Sequence, residues 1–485
     1  MRSIVILMDS LNRRFLEVYG NDWVRTPNIS RFAARAAVFD NHWAGSLPCM
    51  PARRDMMTGR LTFLEAPWGP IEPYDDCLPV ELRNRGVHTH LITDHYHYFE
   101  VRGAHYHTLF STWEFHRGQE GDPWIGQVRD PEIPPFYGKN RRQDWINRNW
   151  IRNEEDFPGP KCFRSAIDFL ELNKDEDNWH LHLEVFDPHE PFYVPASYKE
   201  LYPDDWDEYV FDWPKYERVQ QPPEAIRHAR NRYAALLTMT DHWFGKFLDA
   251  MDAYDMWKDT AVILTTDHGL LLGEHGFWMK NYMPVYNEIA HIPFLYYHPE
   301  MPGNGRRIRS LTSTIDLMPT VLELHGAPTP PHVQGHSLTG LLREETPLRD
   351  AVLYGYFGKE INVTDGRYTY FREPVPGSLA YHYTAHTAAA IHQPSRRQDF
   401  ARAEVGRFLP HTYGIPVFRL PVPSARAEGA LPFHAVYDLE TDYAQEHPIH
   451  GGPIEEMMVE KLVRLLKAYG APREHFERLD LAAHA

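Results

Sequence analysis

The chain carries scattered residues whose types can do chemistry: Asp9-Ser10, Cys49-Met50-Pro51-Ala52-Arg53, Asp187-Pro188-His189, Thr266-Asp267-His268-Gly269 and Lys280. Carboxylates and imidazoles can hold a divalent cation or move protons, while lysine and arginine can neutralise an anionic substrate. A cysteine taken alone is most often a small buried hydrophobe. Pro51, Arg53 and the downstream Thr58-Gly59-Arg60 turn Cys49 into a candidate for more than packing.

For these groups to meet, the elements carrying them must end side by side. Ile4-Val5-Ile6-Leu7-Met8 is short, branched and apolar on both faces, the pattern of a strand buried within a mostly parallel sheet, and Asp9 follows at its carboxyl end. Ala261 to Thr265 repeats that pattern before Asp267-His268-Gly269, and His180 to Phe186 does so before Asp187-Pro188-His189. In an open α/β sheet, ligands bind in the crevice beyond the carboxyl ends of the strands. Thr26 to Ala37, with Pro27 near its start, and Ala229 to Met251 have helical spacing, so the chain alternates strand and helix.

We therefore expect an α/β domain over residues 1–345, with a large, mostly parallel sheet flanked by helices. Beyond it, Ala351 to Tyr356, Thr369 to Arg372 and Phe433 to Leu439 read as short strands and Ile454 to Tyr469 as a final helix. These predict a smaller α+β domain at 346–485. Residues 375–430 are rich in Pro, Ala and His without clear periodicity, and read as an insert serving as a lid or an oligomer contact.

Cys49-Met50-Pro51-Ala52-Arg53 with Thr58-Gly59 resembles the signature of the type I, formylglycine-dependent sulfatases of the alkaline phosphatase superfamily. Thr26-Pro27-Asn28, Asp187 to Phe192, Thr266 to Gly269, Gly273-Glu274-His275-Gly276, Ile292-Pro293-Phe294, Ser313 to Thr320 and Tyr437-Asp438-Leu439 occur in the family's order. The resemblance implies an alkaline-phosphatase-like fold and a maturation enzyme that oxidises Cys49 to formylglycine. The hydrated aldehyde is a geminal diol: one hydroxyl attacks the ester and expels the alcohol, and loss of the second proton releases the inorganic anion.

Carried over residue by residue, the resemblance implies a metal held by Asp9, Ser10, Cys49, Asp267 and His268. It also implies that Arg53 holds the diol, Lys280 binds ester oxygens, and His189 contacts the substrate or assists the departing alcohol. A histidine among oxygen ligands favours manganese, with calcium and magnesium as alternatives. Ser10 stands where many members carry a second aspartate. Where many read Gly-Lys-Trp-His, this chain reads Thr93-Asp94-His95-Tyr96-His97-Tyr98, leaving His95 or His97 to take over substrate contacts.

His268, Ser10 and the missing lysine also make the chain similar to phosphonate monoester hydrolases. The leading expectation is hydrolysis of sulfate esters, with phosphodiester or phosphonate monoester hydrolysis by the same machinery as the alternative. A noncatalytic binding protein of the same fold is a third reading. The histidines from His88 to His107 are irregularly spaced and lack paired cysteines, which argues against a separate zinc site.

The net charge of -17 argues against a nucleic-acid partner, so an anionic small-molecule ester must meet a local positive site. The three cysteines are too widely spaced for a disulfide framework. Asp9 interrupts the first apolar run too early for a secretory segment, and no stretch approaches the ~20 apolar residues of a membrane span. The expected setting is cytoplasmic, with a homo-oligomer compatible with everything above.

Overall fold

The computed structural model describes residues 1–139 and 141–484. Its main sheet has eight strands: β1 (Arg2–Met8), β2 (Ala37–Phe39), β3 (His88–Thr93), β4 (Thr112–Phe115), β5 (Trp179–Val185), β6 (Thr260–Thr265), β7 (Phe294–Tyr297) and β8 (Arg307–Ile308). Their spatial order is β8-β2-β7-β6-β1-β5-β3-β4. β7 runs antiparallel to both of its neighbours, and every other pairing is parallel.

β1 is apolar along its length because both of its faces are covered. Ile4, Ile6 and Met8 pack into one layer with Leu181, Leu183, Val262 and Leu264, and with residues of helices α2 (Pro158–Asn173) and α3 (Pro223–Ala253). Val5 and Leu7 point the other way, against Ile263, Leu82 and the helix Leu317–Leu324. Truncating a fully buried Ile6 to alanine should cost about 2–5 kcal/mol. The helix-like stretch starting at Thr26 stops earlier than its spacing suggests: the helix covers Pro27–Ala33, and Ala37 already belongs to β2.

Helix α1 (Cys49–Thr58) is buried at every position and follows a two-residue strand, Ser46–Leu47. Gly59 ends it at φ 65°, a left-handed conformation suited to glycine. Asp55 ties the helix to its approach, accepting hydrogen bonds from Ser46 N at 2.7 Å and Thr62 N at 2.9 Å.

Residues 352–438 add seven strands: β9 (Val352–Tyr356), β10 (Ile361–Thr364), β11 (Tyr368–Arg372), β12 (Leu379–Thr384), β13 (Glu404–Gly406), β14 (Val417–Pro423) and β15 (Ala435–Asp438). A second sheet runs β15-β11-β10-β9 and is completed by Ser46–Leu47, with Leu47 opposite Tyr356. The helix Gly452–Ala468 covers it through Met458, Leu462, Leu465 and Leu466. The aperiodic insert contains a third, antiparallel sheet, β12-β14-β13. Pro421 and Pro423 sit inside β14, opposite Tyr381 and Leu379, and hide the strand from a reading by pattern. No helix among the described residues is long and apolar enough to cross a membrane.

Candidate active site

The carboxyl ends of β1 and β6, together with the start of α1, bring the chemically capable residues into one buried pocket. Asp9 follows β1, and its N–H donates to Val185 O at 2.9 Å. Thr266, Asp267 and His268 follow β6 in a turn that Gly269 permits: a Cβ there would lie 2.0 Å from the Glu288 carbonyl oxygen. Asp9, Cys49, Asp267 and His268 each offer a ligand atom, all within 4.8 Å of one another, and all four side chains are buried.

His268 Nδ1 donates to the Gly269 carbonyl at 2.9 Å, which leaves the Nε2 lone pair facing the pocket. The Cys49 thiol donates to Nε2 at 3.2 Å, and Asp267 Oδ2 lies 3.2 Å from the same nitrogen. Burial pushes the Cys49 thiol well above its ordinary value, and the Asp9 carboxylate pushes it further.

Arg53 organises the centre by dividing its donors. Nε donates to Glu184 Oε1 at 2.5 Å, Nη1 to Asp267 Oδ2 at 2.6 Å, and Nη2 to Asp9 Oδ2 at 2.7 Å. It reaches Cys49 at the backbone carbonyl, 3.2 Å from Nη1. Burial alone would raise Asp9, yet Arg53, His189, Lys280 and His268 hold it well below the usual carboxylate range. Three carboxylates converge on one guanidinium, an excess of buried negative charge that suits a divalent cation among Asp9, Asp267 and His268. The donor set therefore fits the metal that the sequence implies.

Ser10 enters the site as a bridge: its hydroxyl donates to Asp9 Oδ1 and accepts from Lys280 Nζ, both at 2.7 Å. Its backbone N–H donates to Asp267 Oδ1 at 3.1 Å. Those bonds tie Ser10 to Asp9, Asp267 and Lys280. Lys280 is 1% exposed and also lies 3.6 Å from Glu190, which helps keep it charged despite burial.

His189 Nδ1 lies 2.5 Å from the Glu190 carbonyl oxygen, so that nitrogen donates and Nε2 faces the pocket, 4.0 Å from Asp9. Glu190 and Glu120 approach Nδ1 at 3.4 and 3.8 Å. Burial opposes the charge on Glu190, but His189, Lys280 and Lys139 hold it down at about 2.

His95 and His97 separate. His95 is fully buried, 3.8 Å from Asp9, and neither ring nitrogen has a hydrogen-bond partner. Burial, with Arg53 next in effect, holds it well below the ordinary imidazole value, so a neutral ring faces the site. His97 sits at the rim, its Nδ1 2.8 Å from Glu100, with its ring edge-on to His95 at 5.2 Å.

The residue reading did not select Glu184, Glu120 or Glu190 as site residues. Glu184 was detectable as a carboxylate within an otherwise buried strand, and Tyr98 also donates to it at 2.7 Å. Glu120 lies in a loop with no motif, and only folding brings it beside His189, Tyr96 and Arg141. Gln119 Nε2 bridges Asp94 at 3.1 Å and Asp187 at 3.0 Å, linking the loops that carry His95 and His189.

Comparisons with known proteins place the chain by family and fold. The Sulfatase family model matches residues 3–327. An arylsulfatase of Clostridium perfringens (strain 13 / Type A) is 24% identical over 400 residues, which cover 74% of this chain and 82% of the relative. The choline-sulfatase of Rhizobium meliloti (strain 1021) is 23% identical over 416 residues, covering 76% of this chain and 77% of its own. The crystal structure of the phosphonate monoester hydrolase of Agrobacterium radiobacter superimposes with a TM-score of 0.69 at 17% identity, covering 96% of each chain, and shows the shared fold. With the family match spanning the strands and the helix that build this pocket, the chain belongs to the sulfatase family and is a hydrolase of sulfuric esters with an alkaline-phosphatase-like fold.

Proposed function

We propose that this protein hydrolyses small sulfate esters to alcohol and inorganic sulfate, using a formylglycine made from Cys49 and one divalent cation, manganese by preference. The observation that carries the reading is the convergence of Asp9, Cys49, Asp267 and His268 beside Lys280, all buried at the carboxyl edge of the sheet. Oxidation of Cys49 by a maturation enzyme would give a hydrated aldehyde as nucleophile, and Asp9, Asp267 and His268 would hold a cation that would acidify it and neutralise charge on an ester oxygen. One nitrogen and several oxygen donors suit manganese better than calcium.

The remaining work falls to side chains of this chain. Lys280 Nζ, steered by Ser10 and Glu190, binds a nonbridging oxygen of the ester. Arg53 keeps Asp9, Asp267 and the Cys49 carbonyl at fixed spacing. With Nδ1–H kept on the Glu190 carbonyl, it is the Nε2 proton of the imidazolium form of His189 that the departing alcohol oxygen collects, leaving the neutral ring. The free ring nitrogens of His95 contact the substrate in place of the absent lysine. Cys49 is 4% exposed, so a maturation enzyme reaches it in a chain that has not yet closed around it.

A second reading, phosphodiester or phosphonate monoester hydrolysis by the same residues, is favoured by His268 at the metal corner and by the fold likeness to a phosphonate monoester hydrolase. The test is kcat/KM of matured, manganese-loaded protein on an aryl sulfate, an aryl phosphodiester and an aryl phosphonate monoester, with Cys49→Ala as control. A sulfate preference that the control loses is the expected result, and a phosphorus preference would install the second reading. An unmodified Cys49 thiol by mass spectrometry, with no turnover after co-expression with a maturation enzyme, would leave a noncatalytic binding protein.

A further inference from the structure

Lys280 sits in a backbone turn that its own segment does not favour. Met279 on one side has φ 69° and Asn281 on the other has φ 86°, left-handed conformations at two residues that are not glycine. Such conformations persist where the surroundings impose them. Met279 pairs with Leu271, and at Asn281 the surroundings come from the second sheet, across the hairpin between β9 and β10.

The Asn281 N–H donates to the Tyr356 hydroxyl at 3.0 Å, and the Asn281 carbonyl accepts from Lys359 Nζ at 2.6 Å. Both polar groups of that residue's backbone are thus taken by one hairpin. Tyr356 also stands opposite Leu47 in the sheet, two residues before Cys49. One residue therefore touches both the segment that carries the anion-binding lysine and the strand that leads to the nucleophile position. Lys280 itself is buried and held to Ser10 at 2.7 Å, so a small shift of its backbone moves the ammonium away from the pocket.

We propose that Tyr356 and Lys359 are positioning residues for the reaction: by clamping the Asn281 peptide in its left-handed conformation they fix Lys280 Nζ at the anion site, in register with Cys49. The proposal rests on the reading that Lys280 binds the ester oxygens. It assigns a positioning duty to the β9–β10 hairpin. Lys359 acts as an ammonium bonded to a carbonyl, a charge-assisted contact stronger than the neutral bond from Asn281 N–H to Tyr356, so its loss should weigh more.

The experiment uses the full-length, matured, metal-loaded protein. Lys359→Met and Tyr356→Phe are compared with the parent for kcat and KM on an aryl sulfate and for the Kd of inorganic sulfate by titration calorimetry. Lys359→Met should raise both KM and the sulfate Kd by about tenfold, Tyr356→Phe should raise them less, and Lys359→Arg should stay near the parent. In a Lys280→Met background, Lys359→Met should change the sulfate Kd no further, because the clamp acts through that lysine. An effect of full size in that background would mark a general structural role and overturn the proposal, as would KM and Kd values unchanged in both single variants. If the parent binds sulfate but turns over no ester, the functional reading fails while the sulfate arm still decides the clamp.

Discussion

Two buried ionic clusters in this molecule are built on opposite plans. Asp316 meets Arg349 in a bidentate pair at 2.5 and 2.6 Å, and its oxygens also accept from the N–H groups of Ser313 and His336, both at 2.8 Å. That cluster is closed: one carboxylate faces one guanidinium. Arg53, by contrast, serves Asp9, Asp267 and Glu184 at once, in a site where a Glu190 oxygen and two His95 nitrogens have no hydrogen-bond partner among the described residues. The structural pair is balanced in charge, although Arg349 Nε has no partner among the described residues, whereas the active-site cluster is short of positive charge. The shortage is what a cation would fill.

The contrast can be broken from either side. The largest effect expected is in activity: Cys49→Ala should lower kcat/KM by about a thousandfold or more while its melting temperature stays near the parent's. Asp316→Ala should do the reverse, leaving Arg349 unpaired at a cost of about 3–5 kcal/mol in urea unfolding, with kcat per folded molecule unchanged. Manganese at about a hundredfold over its Kd should stabilise the protein by about 2.7 kcal/mol, a gain that Asp267→Asn should abolish and Asp316→Asn should retain. His189→Ala should slow esters of poorly departing alcohols by about a hundredfold and activated aryl esters less, which a leaving-group series would measure.

Acidity supplies the smallest and most direct comparison. Burial alone would raise Asp316, but Arg349 and the two backbone N–H groups hold it below its ordinary value of 3.8. Its stabilisation is therefore complete above that pH and is lost as pH falls through the lower folded value. The difference in urea midpoint between the parent and Asp316→Asn should be constant near neutrality and shrink below about pH 4. A difference independent of pH would show that the pair's charge contributes nothing.

Much of the main sheet could be read from residue pattern because β1, β5 and β6 are covered on both faces. β1 and β6 are therefore apolar over most of their length, and the first carboxylate after each run marks the carboxyl edge where ligands gather, while β5 buries His180, His182 and Glu184 within its own length. Asp9, Asp267 and His268 were legible for that reason, and Cys49 and Arg53 through the likeness of their segment to the sulfatase signature. Pattern failed at β14, where prolines interrupt a half-exposed strand, and at Glu120, whose neighbours in sequence carry no periodic signal. It also misjudged the end of the Pro27–Ala33 helix, because tertiary pairing drew Ala37 into β2.

Residue order alone thus carried the strand ends, through local hydrophobic period, and the likeness to the sulfatase family, through short motifs such as Cys49 to Arg53. Folding was needed for everything that joins distant segments: Glu184 sharing Arg53 with Asp9 and Asp267, Ser10 bridging to Lys280, and Tyr356 standing between Leu47 and Asn281. Each joins residues between 44 and about 300 positions apart, or depends on which of several carboxylates meets one guanidinium. Those choices are made by packing and burial, which local pattern does not encode.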